Sequence, residues 1–134
     1  MDNQTLAKKS LEARDKSYSP YSHFRVGAAL LTTDGRLYLG ANVENAAYSP
    51  CICAERSAFI CALMDGVSSF SKIAVAADVD DYVTPCGVCR QFMREFSKDL
   101  PILLVKPNGE FRESSLAELL PMSFGPEDLE KNQK

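Results

Sequence analysis

Three cysteines and one glutamate constrain this chain more than any other feature. Cys53 and Glu55 belong to the segment CAE at residues 53–55, and Cys86 and Cys89 belong to the segment PCGVC at residues 85–89. Three thiolates give a zinc ion all but one of its four usual ligands, and the open position admits water. A carboxylate two residues from a ligand can move the protons of that water. The pattern therefore predicts a hydrolytic zinc centre that joins two distant segments.

The hydrophobic pattern predicts strands that alternate with helices after an initial hairpin. Predicted strands cover residues 24–31, 37–41, 72–77, 102–105 and 110–112. Predicted helices cover residues 3–16, 53–64, 87–96 and 116–120. This order favours a mixed sheet with helices on both faces. We expect one domain over residues 1–134, with a polar, frayed tail from about residue 126.

Composition excludes several classes of function. The net charge is −3 and no Lys/Arg cluster is present, which disfavours nucleic acid as a partner. No apolar run reaches the roughly 20 residues that a membrane span needs. The N-terminus is polar and periodic, unlike a signal peptide. Five cysteines would leave one unpaired in a disulfide framework, so we expect free or metal-bound thiols and a cytoplasmic location.

Both cysteine segments lie at predicted helix starts. Unpaired backbone N–H groups and the positive end of the helix dipole stabilise thiolates there. Cys86 and Cys89 are three residues apart, so both thiols can lie on one side of a helical turn. Arg56 follows Cys53 at i+3 and would offset the thiolate charge. Gln91, two residues beyond Cys89, is predicted as a further hydrogen-bond donor around the metal.

Each of these residues also has a simpler interpretation. Glu55 can serve only the helix dipole, two of the cysteines can be core thiols, and the C-x-x-C pair can be a redox pair. The sharpest alternative is a closed four-cysteine structural zinc site with Cys51 as the fourth ligand. Cys61 does not suit that position, because it lies about 12 Å from Cys53 along a helix. His23, after a turn, is expected to be a surface or packing histidine and not a metal ligand.

Around these motifs the chain resembles the small, homotetrameric, zinc-dependent cytidine deaminases. The resemblance runs from about residue 6 to about residue 126. The general deaminase signature is CAER at residues 53–56 with PCGVCRQ at residues 85–91. The segments that match the nucleoside enzymes more specifically are SPYSHFRVGA at residues 19–28, GANVENA at residues 40–46 and LLP at residues 119–121.

The resemblance implies a three-layer α/β/α sandwich around a five-stranded mixed sheet. It implies one zinc ion per chain, held by Cys53, Cys86 and Cys89, and hydrolysis of cytidine or 2′-deoxycytidine to the uridine product with release of ammonia. Glu55 would then act as the general acid and base. Backbone groups around Ala54 would contact the edge of the base.

The nucleoside pocket is also implied by the resemblance. Asn42 and Glu44 are two apart in an extended segment, so their side chains can share one face and bind a ribose hydroxyl. Phe24, which would open the first strand, is expected against the pyrimidine ring. Phe124 and Tyr48 are expected to reach the site of a neighbouring subunit. Taken alone, residues 42–45 fit a polar loop at a strand exit, and Phe24 fits core packing.

Two other functions remain open at this point. The chain can be a deaminase for another aminated heterocycle, such as a nucleoside antibiotic or a base in a polynucleotide, although its acidic balance disfavours a polynucleotide. It can also be a non-enzymatic zinc module closed by Cys51.

Overall fold

The computed structural model describes residues 1–130, and within them five strands form one mixed sheet. The strands are β1 (Val26–Thr32), β2 (Leu37–Ala41), β3 (Phe70–Ala77), β4 (Pro101–Val105) and β5 (Phe111–Ser115). They are ordered β2-β1-β3-β4-β5 across the sheet. β3 and β4 run parallel, and the other neighbours are antiparallel. The predicted five-stranded mixed sheet is confirmed.

Helices cover both faces of this sheet. The helices are α1 (Asn3–Arg14), α2 (Ala54–Met64), α3 (Gly87–Arg94), α4 (Leu116–Leu119) and α5 (Pro126–Glu130). On one face, Leu6 of α1 packs in a buried cluster with Ala29 and Leu103. On the other, Phe59 of α2 and Met93 of α3 belong to a second cluster with the opposite side chains of the same strands. Alternate strand residues thus supply two cores, which makes a three-layer α/β/α sandwich.

Two glycines set the distance between the helices and the sheet. A Cβ atom on Gly40 of β2 would lie 2.4 Å from the carbonyl oxygen of Ala54 and 2.4 Å from the backbone nitrogen of Ala58. A Cβ atom on Gly27 of β1 would lie 2.2 Å from the backbone nitrogen of Arg14. Neither contact is sterically possible. Glycine therefore lets α2 and α1 approach opposite faces of the sheet closely.

Several element ends differ from the predictions. β1 begins at Val26 and not at Phe24, because the carbonyl of Phe24 accepts a hydrogen bond from the Asn42 side chain and not from a strand partner. α2 begins at Ala54, with Cys53 as its extended N-cap. β3 starts earlier, at Phe70, and β5 continues to Ser115. α3 ends earlier than predicted, at Arg94.

The prediction of a frayed tail is wrong for residues 126–130, which form α5. Acidic Glu127 and Asp128 in its first turn complement the helix dipole. The Gly125 N–H donates to the Asp128 carboxylate, and Glu127 pairs with the buried Arg94 of α3. The buried Arg94 side chain on α3 thus anchors α5, although the composition of α5 is polar. The rest of the predicted tail lies outside the described residues.

Across residues 1–130, no helix combines the length and apolar character that crossing a membrane requires.

Candidate active site and metal centre

The starts of α2 and α3 bring the three predicted ligands together. Cys53 is the N-cap of α2 and Cys86 is the N-cap of α3, both with extended backbone and neither with a side-chain cap hydrogen bond. Cys89 lies in the first turn of α3 and is buried. The three Sγ atoms all lie within 4.8 Å of one another. Both helix dipoles therefore direct their positive ends toward one cluster of thiols.

The spacing of the thiols fits a zinc ion. Tetrahedral coordination with Zn–S bonds of about 2.3 Å requires Sγ–Sγ distances of about 3.8 Å. The Sγ atoms of Cys53 and Cys86 are 3.8 Å apart. Within residues 1–130, the cluster contains the atoms of these three cysteines and no fourth His, Cys, Asp or Glu ligand atom. The chain can thus bind one zinc ion and leave a coordination position for a small molecule.

Cys51 does not complete this cluster. Its Sγ accepts a hydrogen bond from the Asn45 N–H at 3.3 Å and lies 3.9 Å from the Asn45 carbonyl oxygen. Residues 43 and 52 form an isolated antiparallel bridge beside it. In an extended segment, residues two apart point to the same side, so spacing alone would allow Cys51 to join Cys53. The contact of the Cys51 sulfur with Asn45 keeps it out of the cluster. The closed four-cysteine site is not formed in this structure.

Arg56 sets the electrostatics of the thiols. Its Nη2 donates to Cys53 Sγ at 3.2 Å. A hydrogen bond from the Cys89 thiol, together with that from Arg56, lowers the pKa of Cys53 to about 5. The pKa of Cys89 is raised, because it gives its hydrogen bond to Cys53 and is buried. One thiolate is therefore formed without metal, and the remaining thiol protons would leave when a dication binds.

Glu55 lies on the first turn of α2 with only 4% of its surface exposed. Burial raises the pKa of its carboxyl, and the negative charge of Cys53 adds to that shift. The side chain lines a cavity of about 300 Å³ that Cys53 and Cys86 also line. A buried carboxyl with a raised pKa holds a proton more readily than an exposed one, which suits a group that accepts and returns a proton. A glutamate that only complements the helix dipole would not need to be buried in a cavity beside the thiols.

Asn42 also lines this cavity. Its Oδ1 accepts from the Val26 N–H at 2.9 Å and from the Ser17 hydroxyl. Its Nδ2 donates to the Phe24 carbonyl oxygen at 2.9 Å. The amide group is thereby held in a fixed orientation at the end of β2.

Glu44 is fixed by the loop that precedes β1. Its Oε1 accepts from the N–H groups of Tyr21 at 3.0 Å and Ser22 at 3.1 Å, and its Oε2 accepts from the Ser22 hydroxyl. The hydrogen bond from the Ser22 hydroxyl lowers the pKa of Glu44. Glu44 and Asn42 both line the cavity, together with Phe24 and Ala54.

The structure places the remaining predicted residues apart from this cavity. Tyr48 is 72% exposed and lines a neighbouring hollow of about 290 Å³ with Tyr21 and Glu44. Phe124 is 55% exposed and does not line the cavity of its own chain. The Nε2 of Gln91, which was predicted to donate a hydrogen bond around the metal, donates to the Phe124 carbonyl oxygen at 3.0 Å.

Sequence reasoning missed the wall beside Cys86. Val83, Thr84 and Pro85 line the cavity between β3 and α3. Arg90 holds part of this wall through its guanidinium group. Their position directly before a predicted ligand is the signal that was available in the sequence.

An α/β/α fold with three converging thiols and a buried carboxyl on one cavity defines a class, the zinc-dependent hydrolases. The family model described as the cytidine and deoxycytidylate deaminase zinc-binding region matches residues 1–104. The chain belongs to the cytidine and deoxycytidylate deaminase family.

Individual relatives agree over nearly the whole chain. A cytidine deaminase of Sporosarcina psychrophila is 49% identical over 130 residues, which cover 96% of each protein. A probable cytidine deaminase of Dictyostelium discoideum is 47% identical over 95% of this chain and 89% of its own length. The crystal structure of cytidine deaminase from Burkholderia pseudomallei superposes with a TM-score of 0.89 at 44% identity, covering 92% of this chain and all of that one.

Proposed function

We propose that this chain hydrolyses cytidine and 2′-deoxycytidine to uridine and 2′-deoxyuridine with release of ammonia. The observation that carries the proposal is Glu55, a buried carboxyl that shares a cavity of about 300 Å³ with the metal-binding thiols. That volume is at the lower end of the range for small-molecule sites and is large enough for a nucleoside. Relatives named cytidine deaminase at up to 49% identity support the choice of substrate.

Zinc, when bound, supplies a Lewis acid and an open coordination position for water. Residues of the chain then carry out the proton transfers. Glu55 takes a proton from the attacking water and gives it to N3 of the pyrimidine while the oxygen adds to C4. Glu55 next carries the remaining hydroxyl proton to the exocyclic amine. The C4–N bond breaks, ammonia leaves, and C4 becomes the carbonyl of the product.

The pocket residues orient the nucleoside for this step. We assign the ribose 3′-hydroxyl to Asn42 and Glu44, because both side chains are already fixed by loop hydrogen bonds and need no reordering on binding. We assign the pyrimidine ring to contact with Phe24 and the base edge to backbone groups around Ala54. Both residues line the same cavity as Glu55.

The active enzyme is proposed to be a homotetramer whose sites are shared between subunits. The support is the exposure of Phe124 and Tyr48 on loops, because aromatic residues are enriched in protein interfaces relative to the rest of the surface. Phe124 would enter the site of a neighbour, and Tyr48 would lie at the same interface. We further propose pyrimidine salvage in the cytoplasm, where a reducing environment keeps the five free cysteines as thiols.

The deciding experiment measures ammonia release from cytidine, 2′-deoxycytidine, free cytosine and single-stranded DNA. Both nucleosides should react, and free cytosine should react poorly, because it has no ribose for Asn42 and Glu44 to bind. Chelation should abolish turnover, and added zinc should restore it. Equal rates on cytosine and cytidine would contradict the ribose assignment, and preferred turnover of DNA would replace the proposed substrate class.

A further inference from the structure

Cys86 is the metal-binding cysteine that packing holds least. Cys89 is buried and Cys53 is half-buried, but Cys86 is exposed. It ends the irregular connection between β3 and α3. Apart from the chain neighbours of Gly87 and the backbone of its own helix, no atom lies within 4 Å of where a Cβ on Gly87 would be. Packing therefore restrains Cys86 less than it restrains Cys53 and Cys89. Hydrogen bonds to the residues directly before it add the restraint that its own side chain lacks.

Arg90 supplies those hydrogen bonds. Its Nε donates to the Pro85 carbonyl oxygen at 2.7 Å, and its Nη2 donates to the Thr84 hydroxyl oxygen at 2.8 Å. Its backbone N–H donates to the Cys86 carbonyl oxygen at 3.0 Å. In the described part of the chain, the hydrogen bonds made by Thr84 and Pro85 all come from Arg90. The Arg90 side chain thus holds Thr84 and Pro85, the two residues directly before Cys86, and the Arg90 backbone adds the first helical hydrogen bond to Cys86 itself.

The third arm of the guanidinium ties this connection to the core. Arg90 Nη1 donates to the carbonyl oxygen of Leu119, at the end of α4, at 2.8 Å. α4 itself is fixed, because Leu116 is completely buried and its N–H donates to the Leu100 carbonyl oxygen at 2.8 Å. The planar guanidinium reaches three acceptors in three directions at once. A lysine ammonium on a flexible stem cannot reproduce that arrangement.

We infer that Arg90 is a positioning residue that holds Cys86 at metal-binding distance and fixes the cavity wall formed by Thr84 and Pro85. Arg90 touches no reacting atom and acts through the backbone that it binds. Its effect on substrate rests on the proposed function, whereas its effect on zinc does not. Loss of the guanidinium group should therefore weaken zinc binding directly, and it should weaken substrate binding through the displaced cavity wall.

A merely structural arginine would change only thermal stability. The test follows zinc transfer from the purified, zinc-loaded protein to a chromogenic chelator, in the wild type and in Arg90→Lys. We expect Arg90→Lys to release zinc about tenfold faster, in line with residues that orient metal ligands. The KM for cytidine should rise, while the Tm of the zinc-free protein, which has no contribution from metal binding, stays close to that of the zinc-free wild type. Arg112→Lys, at an exposed position on β5, is the matched control and should behave as wild type.

Thr84→Val keeps the inference testable should Arg90→Lys fail to fold. It removes one hydrogen-bond acceptor of Arg90 and nearly preserves side-chain volume, so zinc release should be about threefold faster. In the double variant Thr84→Val should add nothing to Arg90→Lys, because both remove the same hydrogen bond. Unchanged zinc release in Thr84→Val and in every folded Arg90 variant would overturn the inference. Failure of the wild type to deaminate cytidine would refute the proposed function and leave the zinc result standing.

Discussion

Arg56 donates a hydrogen bond to the sulfur of Cys53 at 3.2 Å, and both residues belong to the start of α2. The same helix start carries Glu55 into the cavity. One turn of helix therefore holds a metal-binding thiol, the cation that stabilises its negative charge and the carboxyl that we assign to proton transfer. Because the three side chains share one rigid element, their relative positions do not depend on a flexible loop.

The first prediction concerns Arg56. Arg56→Gln removes the cation beside Cys53, so zinc bound by three thiolates should carry uncompensated negative charge. We expect the zinc affinity at pH 7 to fall about tenfold. Competition with a chelator of known affinity measures it. Arg56→Lys keeps the charge and should recover part of the loss; equal affinities in all three proteins would contradict the role given to the charge.

The second prediction separates metal binding from proton transfer. Glu55→Gln preserves size and removes the carboxyl, so the variant should keep about one zinc per chain. Turnover of cytidine should fall by about 10²- to 10⁴-fold, the usual contribution of a general acid-base. Elemental analysis and ammonia release measure the two quantities in the same sample. Wild-type turnover in a zinc-loaded Glu55→Gln protein would rule out the mechanism.

The third prediction tests whether Cys51 binds the metal. Cys51 contacts Asn45 and stands outside the group of three thiols. Cys51→Ser should therefore retain zinc and release it to a chelator at the wild-type rate. The cobalt-substituted protein should give the spectrum of three sulfur ligands and one oxygen ligand. Loss of metal in Cys51→Ser, or a four-sulfur spectrum, would show that Cys51 closes the site.

The fourth prediction concerns the close approach of α2 to β2. Gly40→Ala places a Cβ 2.4 Å from backbone atoms of Ala54 and Ala58, so α2 must move away from the sheet. The free energy of unfolding should fall by about 1–3 kcal/mol or more, and zinc should be held less tightly, because Cys53 moves with α2. Denaturant unfolding and zinc release measure the two effects.

Gly27→Ala is the matched control for Gly40→Ala. Its Cβ meets the backbone of Arg14 in α1, on the opposite face of the sheet. Stability should fall comparably, but zinc release should stay near the wild-type rate. Equal loss of zinc in both variants would mean that general destabilisation, and not displacement of α2, loosens the metal.

The fifth prediction uses the pairing of α5 with α3. The hydrogen bond from Arg94 lowers the pKa of Glu127 below its ordinary value of 4.5. A carboxyl with a lowered folded-state pKa stabilises the fold above its unfolded pKa, and the contribution is lost as the pH falls through the folded value. Glu127→Gln should therefore lower the Tm at pH 7, and the difference should close as the pH falls below the ordinary carboxyl pKa of 4.5.

Glu130→Gln, at the exposed end of the same helix, is the control for charge alone and should leave the Tm at pH 7 almost unchanged. A difference between wild type and Glu127→Gln that is independent of pH would contradict the ionic pairing with Arg94.

Much of the fold follows from local patterns in the sequence. The apolar runs predicted all five strands, because burial on a sheet depends on short-range alternation and β-branched content. The ends of elements were less predictable. β1 starts at Val26 because Asn42, far along the chain, takes the carbonyl of Phe24, and α5 forms where Arg94 is available to pair with Glu127.

The candidate site also has a part that the sequence predicts and a part that it does not. Residue types and spacing were enough to predict that Cys53, Cys86 and Cys89 converge, since few other arrangements use three thiols and a neighbouring glutamate. The partner of Gln91 was not predictable from spacing, because its side chain donates to the carbonyl oxygen of Phe124, 33 residues away.

The sequence by itself determined the chemistry of this protein: three thiols, a carboxyl and a cation in two short motifs, each at a helix start that favours thiolates. The tertiary structure alone decided what holds those groups in place. Arg90 binds Leu119, 29 residues away, and Arg94 binds Glu127, 33 residues away. Such partners depend on how helices pack on the sheet, and no local periodicity encodes them. Cys51 stays out of the metal group for the same reason, because a loop contact with Asn45 holds its sulfur.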